Sequence, residues 1–371
     1  MSEPIRVLHV IGIMDRGGAE SMIMNLYRNI DREKVQFDFV ENSFASAAYD
    51  DEILSLGGKI YRCPHFIGKN YIQYRRWWEK FFQDHDSEYH IIHGHIGSCA
   101  TIYLHIAKMH GLYTIAHSHN TFQTIYYKLA AYGTRFIADY FFGCSEEAIY
   151  DRYGERIAKS NRCRVLQNAI DTSKFTFNEL VREEVRKELH YTPSDFVIGQ
   201  VGRFMPEKNH EFTVNLYSKV CKQNPNAKLL LVGEGPLREK IEASVIETGL
   251  EDGCIFTGSR PDVNRLMQAI DVLVMPSVYE GLPVTLIEAQ ATGLPCVVSD
   301  TVTKDADITG LITYLPLNSV ELWEQQILQT HQDRKDTSAT IVAAGYDIQT
   351  TAKWLQTFYM KIPRRSGKRN S

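Results

Sequence analysis

The sequence predicts an α/β protein of two Rossmann-like halves, on three observations. Apolar runs of strand length alternate with helical patterns along nearly the whole chain. Glycine-bearing loops follow several of these runs and open the next helix, as they do where parallel strands bring the backbone to a ligand. The alternation lapses over residues 168–195 and then resumes. With 371 residues the chain exceeds what one core usually serves, so two domains of roughly 150–200 residues are expected.

In order, the first-half runs are IRVLHVIG (5–12), QFDFVE (36–41), KIYRC (59–63), YHIIHGH (89–95), LYTIAHSH (112–119), RFIADYFFGCS (135–145) and CRVLQN (163–168). Continuous rather than alternating apolar character marks strands buried on both faces, hence a parallel sheet covered by helices. After the first run, Gly17 and Gly18 either let the backbone approach a ligand closely or simply make a tight turn. Neither a dinucleotide fingerprint nor a P-loop spacing is present. NYIQYRRWWEKFFQ (70–83) reads as an amphipathic helix laying aromatics on the sheet, with contact to a lipid surface as the second reading. VREEVRKELH (181–190) reads as an exposed helix at the domain junction. The second half continues with DFVIGQVGR (195–203), AKLLLVGEGPL (227–237), CIFTGSRPDV (254–263), DVLVMPS (271–277), PCVVSD (295–300) and a weaker strand near 311–315, before two final helices.

Composition excludes several classes. A net charge of −4 argues against a nucleic-acid protein with a broad basic surface. Seven cysteines, odd in number and without a C-x2-C pair, form neither a disulfide framework nor a zinc site and fit a reducing cytoplasm. No apolar run approaches the ~20 residues of a spanning helix, and the N-terminus lacks a basic segment with a cleavage site. The expected location is therefore cytoplasmic. The aromatic helix and the basic tail KIPRRSGKRNS, expected to be disordered, are the candidates for peripheral contact with the inner face of the membrane.

Histidines collect at strand ends, His93 with His95 and His117 with His119. Each H-x-H pair is read as placing its two rings on opposite sides of a strand, with no convincing third ligand, so no metal site is expected. His117 is the preferred hydrogen-bonding or general-base group at the mouth of the sheet. The D-x-D triplets at 84–86 and 305–307 do not end buried strands and are read as solvated.

The chemistry centres on MPSVYEGLPVTLIEAQATGLPC (275–296). Pro283 is expected at the first helical position, which would leave the N–H groups of Gly281, Leu282 and Val284 without intrahelical acceptors. With the helix dipole they form an anion site suited to phosphate. Glu280 and Glu288 bracket it. A carboxylate beside a phosphate is tolerable when it binds hydroxyls of the same ligand, and a phosphate flanked by two sugars is a nucleotide-sugar. Upstream, Arg203 follows a strand and Lys208 precedes a helix that Asn209 is expected to cap, a pair suited to clamping a diphosphate. The alternative is surface pairing of both cations with Glu207.

RGGAE near the start, a strand ending at His117, GCSEEA, LQNAIDTSKF, GRFMPEKN, VGEGP, FTGSR, DVLVMPS and EGLPVTLIEAQATGLPCVVSD occur in this order. In these segments the chain resembles glycosyltransferase family 4, a group of retaining enzymes, over nearly its whole length. The resemblance implies the glycosyltransferase B fold, two Rossmann-like domains facing each other across a cleft. Residues 1–175 would bind acceptor and 176–346 the nucleotide-sugar, with the helix at 347–371 packing back on the first domain. It implies that Arg203 and Lys208 bind the diphosphate and stabilise its departure in place of a metal, that Glu288 binds ribose, and that Glu280 faces the donor sugar with Gly281 and Leu282. Ser259 and Arg260 would hold the base, Gly17 and Gly18 would approach the phosphates and acceptor, and His117 would contact sugar. Many members carry glycine where this chain has Pro283, so one backbone donor is absent.

The N-terminal loop and SHNTF (118–122) are similar to bacterial enzymes of capsular and exopolysaccharide synthesis. The implied reaction moves a hexose or N-acetylhexosamine from a UDP-sugar to a saccharide or undecaprenyl-diphosphate-linked saccharide, without metal or cofactor. A nucleotide-sugar epimerase of the same fold would convert donor without acceptor, a phosphorylase would need a cofactor lysine that is not evident, and a non-catalytic binding protein would typically lack one of Arg203, Lys208 or Glu288.

Overall fold

The computed structural model describes residues 3–15, 17–85, 87–119, 132–330 and 333–363. The chain forms two compact units, Met1–Ala169 with Ile348–Ser371, and Ile170–Asp347. The division falls at 169/170 rather than 175/176, because Phe175 is buried with Val185, Val197 and Leu266 in the second unit's core.

In the first unit, strands β1 (Ile5–Ile11), β2 (Val35–Glu41), β3 (Ile60–Arg62), β4 (Ile91–Gly94), β5 (Tyr113–Ser118), β6 (Tyr140–Gly143) and β7 (Cys163–Val165) pair in parallel, in the order β3-β2-β1-β4-β5-β6-β7. Alternation along β1 sends Val7 and Ile11 into one apolar layer and Leu8 and Val10 into the other. Both faces are therefore covered. The first layer includes Ile348, Ala352, Leu355 and Tyr359, one stripe of the helix Ile348–Lys361. The other layer receives Tyr74, Trp78, Phe81 and Phe82 of the helix Tyr71–Asp84, so the aromatic helix is chiefly a packing element. Its first turn keeps Tyr71 and Ile72 exposed.

The second unit repeats the plan with β8 (Phe196–Val201), β9 (Ala227–Val232), β10 (Cys254–Gly258), β11 (Val272–Met275), β12 (Cys296–Ser299) and β13 (Ile312–Leu315), all parallel, ordered β10-β9-β8-β11-β12-β13. Two expectations change. The run at 135–145 is not one strand: Thr134–Ile137 form a helical turn closed by Ala138 N donating to Thr134 O, and the Asp139 carboxylate then accepts from Thr114 N and Oγ1 at the start of β5. The charged helix, Glu179–Glu188, is not merely exposed, since Val185 and Arg186 are buried and Arg182 and Arg186 reach Asp271. Among the described residues no helix is long and apolar enough to cross a membrane. The tail from 364 lies outside the described residues.

Candidate active site

In the second unit β8 lies between β9 and β11, so the loops leaving the carboxyl ends of β8 and β11 part in opposite directions. Ligands bind open α/β sheets at such a switch point. The β8 loop is fastened to its neighbour: Gly202 N donates to Val232 O (2.9 Å), Phe204 N to Glu234 O (2.9 Å) and Leu237 N to Phe204 O (3.2 Å). Gly233 permits this at φ 145°, where a side chain would be strained and would run into Gly202 O. Lys208 ends the short 3-10 turn Pro206–Lys208, and its carbonyl accepts from Gln200 Nε2 (2.8 Å), itself braced by Thr213 Oγ1 donating to Gln200 Oε1 (2.6 Å). Asn209 does not cap the next helix with its side chain, as expected of it; it turns the chain instead, at φ 54° in the left-handed region that asparagine tolerates.

The β11 loop is laced to the same place. Val278 N donates to Glu207 O (2.8 Å), Thr301 Oγ1 to Ser277 O (2.8 Å) and Ser277 Oγ to Glu280 Oε1 (3.2 Å). The Lys208 ammonium forms an ion pair with Glu280 Oε1, both side chains being mostly buried. The structure thus joins two of the predicted site residues from the two loops of the switch point. Lys208 pairs with Glu280 and not with Glu207, while Arg203 is exposed and makes no ion pair among the described residues.

Pro283 is not the first residue of the helix Val284–Ala291. With ψ 116° it stands just before it, in extended conformation, and Leu286 N donates to its carbonyl (3.0 Å). Proline's missing N–H is therefore outside the helix, and Val284 N–H remains as the first helical donor. The helix start receives no side-chain cap. Gly281 is exposed, its φ is not positive and a Cβ there would meet nothing, so the chain's own packing and conformation do not require glycine. Leu282 packs its side chain against the core. Glu288 keeps part of its surface open while protein surrounds its carboxyl group, which pushes its pKa up to about 7 by desolvation. After β10, Arg260 is held by Asp262 through two 2.7 Å bonds, next to the exposed Ser259. In the D-x-D at 305–307 both acids are exposed, as expected; the Asp305 backbone N–H donates to Thr303 Oγ1 and Asp307 Oδ1 accepts from Gly310 N. In the other triplet, Asp84 pairs with Lys80, and Asp86 lies outside the described residues.

In the first unit the switch point lies between β1 and β4. The β1 loop is anchored by Met14 N donating to Glu41 Oε1 (2.8 Å) and Ala48 N to Asp15 Oδ1 (3.0 Å). Gly17 precedes the helix Gly18–Asn29 in extended conformation, neither glycine has positive φ, and a Cβ on Gly18 would meet open space. Gly17 N nevertheless donates to Asp15 O (3.0 Å), which tightens the chain here, and a Cβ on Gly17 would run into the Glu20 carboxylate; only Gly18 is free of such a demand from its own chain. Arg16 and residues 120–122 of SHNTF lie outside the described residues.

The histidines need the larger correction. Residues i and i+2 of a strand share a face, so His93 with His95, and His117 with His119, stand side by side, with ring centroids 4.4 and 4.1 Å apart. His9 of β1, whose polar side chain in an apolar run is the one sequence signal for it, joins them on that face. Two sets of three, His9 with His93 and His95, and His95 with His117 and His119, bring their ring nitrogens within 4.8 Å of one another. His117 is buried; its Nδ1 lies 3.2 Å from His93 Nε2, and its Nε2 has no partner among the described residues. Burial, then the neighbouring histidines, holds its pKa well below the ordinary value, so the ring is neutral.

Comparisons with known proteins agree with this architecture. Residues 16–174 match the family described as Glycosyltransferase Family 4, and residues 181–310 the one described as Glycosyl transferases group 1. A Bacillus subtilis (strain 168) protein named as a glycosyltransferase, EpsF, is 33% identical over 95% of this chain and 96% of its own. An Escherichia coli UDP-Gal:alpha-D-GlcNAc-diphosphoundecaprenol alpha-1,3-galactosyltransferase is 32% identical over 37% of this chain and 36% of its own. Among solved structures, Anabaena Alr3699/HepE in complex with UDP superposes with a TM-score of 0.77 at 16% identity, covering 95% of this chain and 99% of that one, and the same protein is also solved with UDP-glucose.

Proposed function

The chain belongs to glycosyltransferase family 4 and has the glycosyltransferase B fold, and from that footing we propose that it moves a hexose or N-acetylhexosamine from a UDP-sugar to a saccharide or undecaprenyl-diphosphate-linked saccharide in capsular or exopolysaccharide synthesis. The observation that carries the reading is the Lys208–Glu280 pair, set where the β8 and β11 loops part and one residue ahead of the open glycine, Gly281. The barrier to be lowered is cleavage of an anomeric C–O bond with a diphosphate leaving. Fixed positive charge at the departing oxygens is the main lever. Arg203 and Lys208, with the N–H groups of Gly281, Leu282 and Val284, are assigned that task, in place of a divalent ion. Glu280 faces the donor sugar, and its contact with Lys208 holds the ammonium ready. Glu288 takes the ribose hydroxyls, and Ser259 and Arg260 flank the base. In the first unit Gly17 and Gly18 leave room for substrate, and His117 contacts sugar. The anomeric configuration is retained.

The UDP donor is supported by the nucleotide bound to the Anabaena protein, and the lipid-linked acceptor by the name of the Escherichia coli relative. We place the reaction in the cytoplasm, at the inner face of the membrane, a reading supported by free cysteines and by exposed Tyr71 and Ile72 beside Arg75 and Arg76. The test is UDP release from a panel of UDP-sugars, with and without saccharide acceptors, in the presence and absence of EDTA. Acceptor-dependent release that survives EDTA is expected. Donor conversion without acceptor, or full loss in EDTA, would sink the proposal.

Glu288 adds a pH test. Two ribose hydroxyls donate to the ionised carboxylate, so UDP binding selects the deprotonated form. With a free-state pKa of about 7, wild-type affinity is expected to rise from pH 6 to 8 by roughly tenfold and then level off. Glu288→Gln should bind more weakly and lack that rise, retaining only the nucleotide's own titration; calorimetry on both proteins separates the two. The linkage sign is fixed as well. A carboxyl whose folded pKa lies above its unfolded value of 4.5 costs stability progressively as pH climbs from 4.5 towards 7. The glutamine variant should therefore be more stable than wild type at pH 8 and no more stable at pH 4.5.

A further inference from the structure

The clustered histidines form two hydrogen-bonded files. In one, His9 Nδ1 lies 3.0 Å from His95 Nε2, and His95 Nδ1 lies 2.8 Å from His119 Nε2. In the other, Tyr359 Oη lies 2.6 Å from His93 Nδ1, and His93 Nε2 lies 3.2 Å from His117 Nδ1. Within a file, neighbouring rings are 13–28° from coplanar with centroids 5.0–5.2 Å apart, the arrangement of an in-plane N–H···N bond. A shared metal would need the rings to radiate from one point, whereas His95 and His93 each turn their two nitrogens to different neighbours. The array is built for directional hydrogen bonding.

We propose that Tyr359 and His93 are positioning residues that fix the tautomer of His117, so that its buried Nε2 carries the proton and is presented to substrate as a hydrogen-bond donor. The direction follows from counting protons. Tyr359 is fully buried, and among the described residues its hydroxyl meets one polar atom, His93 Nδ1. A phenol has one proton to give; were His93 to donate instead, that proton would be buried without an acceptor, at about 1–3 kcal/mol. His93 Nδ1 therefore accepts. Burial keeps His93 and His117 neutral, with one N–H each, so His93 holds its proton on Nε2 and gives it to His117 Nδ1. The remaining N–H of His117 is on Nε2, the atom without a partner among the described residues. A buried donor without a partner among the described residues suits a ligand oxygen, such as a sugar hydroxyl or an acetamido carbonyl. His117 in this state is no general base, which narrows the two roles expected of it to one. The catalytic consequence rests on the reading of His117 as a sugar contact; the tautomer does not.

The experiment is long-range 1H–15N correlation on the full chain labelled with 15N-histidine, at neutral pH, for wild type and Tyr359→Phe. Wild-type His93 and His117 are expected as Nε2–H tautomers. Phenylalanine keeps the ring packing but removes the phenol proton, so both histidines should become tautomer mixtures, and kcat/KM should fall roughly tenfold, the size of one hydrogen bond. A wild-type His117 protonated on Nδ1, unchanged tautomers in Tyr359→Phe, or zinc-dependent shifts of the His93 resonances would each overturn the proposal. If the tautomers are as expected but His117→Ala leaves transfer intact, the relay stands and the sugar-contact reading fails.

Discussion

Lys208→Ala is expected to lower turnover by roughly 10²–10³-fold, the usual effect of removing one preorganised charge from a developing anion. Stability should hardly change. Lys208 and Glu280 are each about one-fifth exposed or less, at 20% and 16%, so solvent still reaches the pair, and its loss is expected to cost on the order of 1 kcal/mol. The backbone contacts that hold the loop do not use the ammonium: Gln200 Nε2 binds the Lys208 carbonyl and Val278 N binds that of Glu207. A single-turnover assay at saturating UDP-sugar, alongside a thermal melt, distinguishes the two quantities. Near-normal turnover would remove Lys208 from the mechanism, and a large fall in melting temperature would recast it as structural. Lys208→Arg should recover only part of the rate, since a planar fork cannot occupy the position of a compact ammonium.

The largest expected effect on stability is at Asp271. This carboxylate is 1% exposed and receives Arg182 Nη2 (2.5 Å), Arg186 Nη1 (3.2 Å) and Val197 N (2.7 Å), while Asp271 N donates to Val197 O (2.8 Å). It ties the starts of β8 and β11 to the helix Glu179–Glu188, and so sets the two strands whose far ends carry Lys208 and Glu280. Asp271→Ala leaves a buried guanidinium without its counter-charge and Val197 N–H without one acceptor. A loss of about 3–5 kcal/mol is expected. Denaturant melts should show it, and hydrogen exchange should locate it in β8 and β11 rather than in the first unit's sheet. Uniform loosening of both units would contradict this account. Joint replacement of Asp271 and Arg186 by apolar residues should recover part of the loss, because much of the penalty is the stranded charge.

Much of the fold was legible because parallel strands buried on both faces must be continuous apolar runs, and β1, β8, β9 and β11 read that way without any partner in view. Local hydrogen bonding hides the rest: the turn Thr134–Ile137 precedes β6, and Asp139 is spent on Thr114, a contact no periodicity announces. The candidate residues of the second unit were nameable from their loops, but the partner of Lys208 was not. Glu207 is its neighbour in sequence and Glu280 its neighbour in space. The H-x-H pairs are plain in the sequence, but residues two apart on a strand share a face, so their rings stack side by side instead of lying on opposite sides. Tyr359 carried no local signal at all, being one more aromatic on the apolar stripe of a distant helix.

What the amino-acid order determined by itself was therefore everything set by local chemistry: where strands run, where glycine leaves a backbone bare, and which loops hold a cation or an acid. Strand order was beyond it, and with strand order came the joining of Lys208 to Glu280 and of Tyr359 to His93 and His117. The reason is that a pairing between remote loops has no signature in either loop alone. It exists only once packing has closed the chain between them and made the contact local.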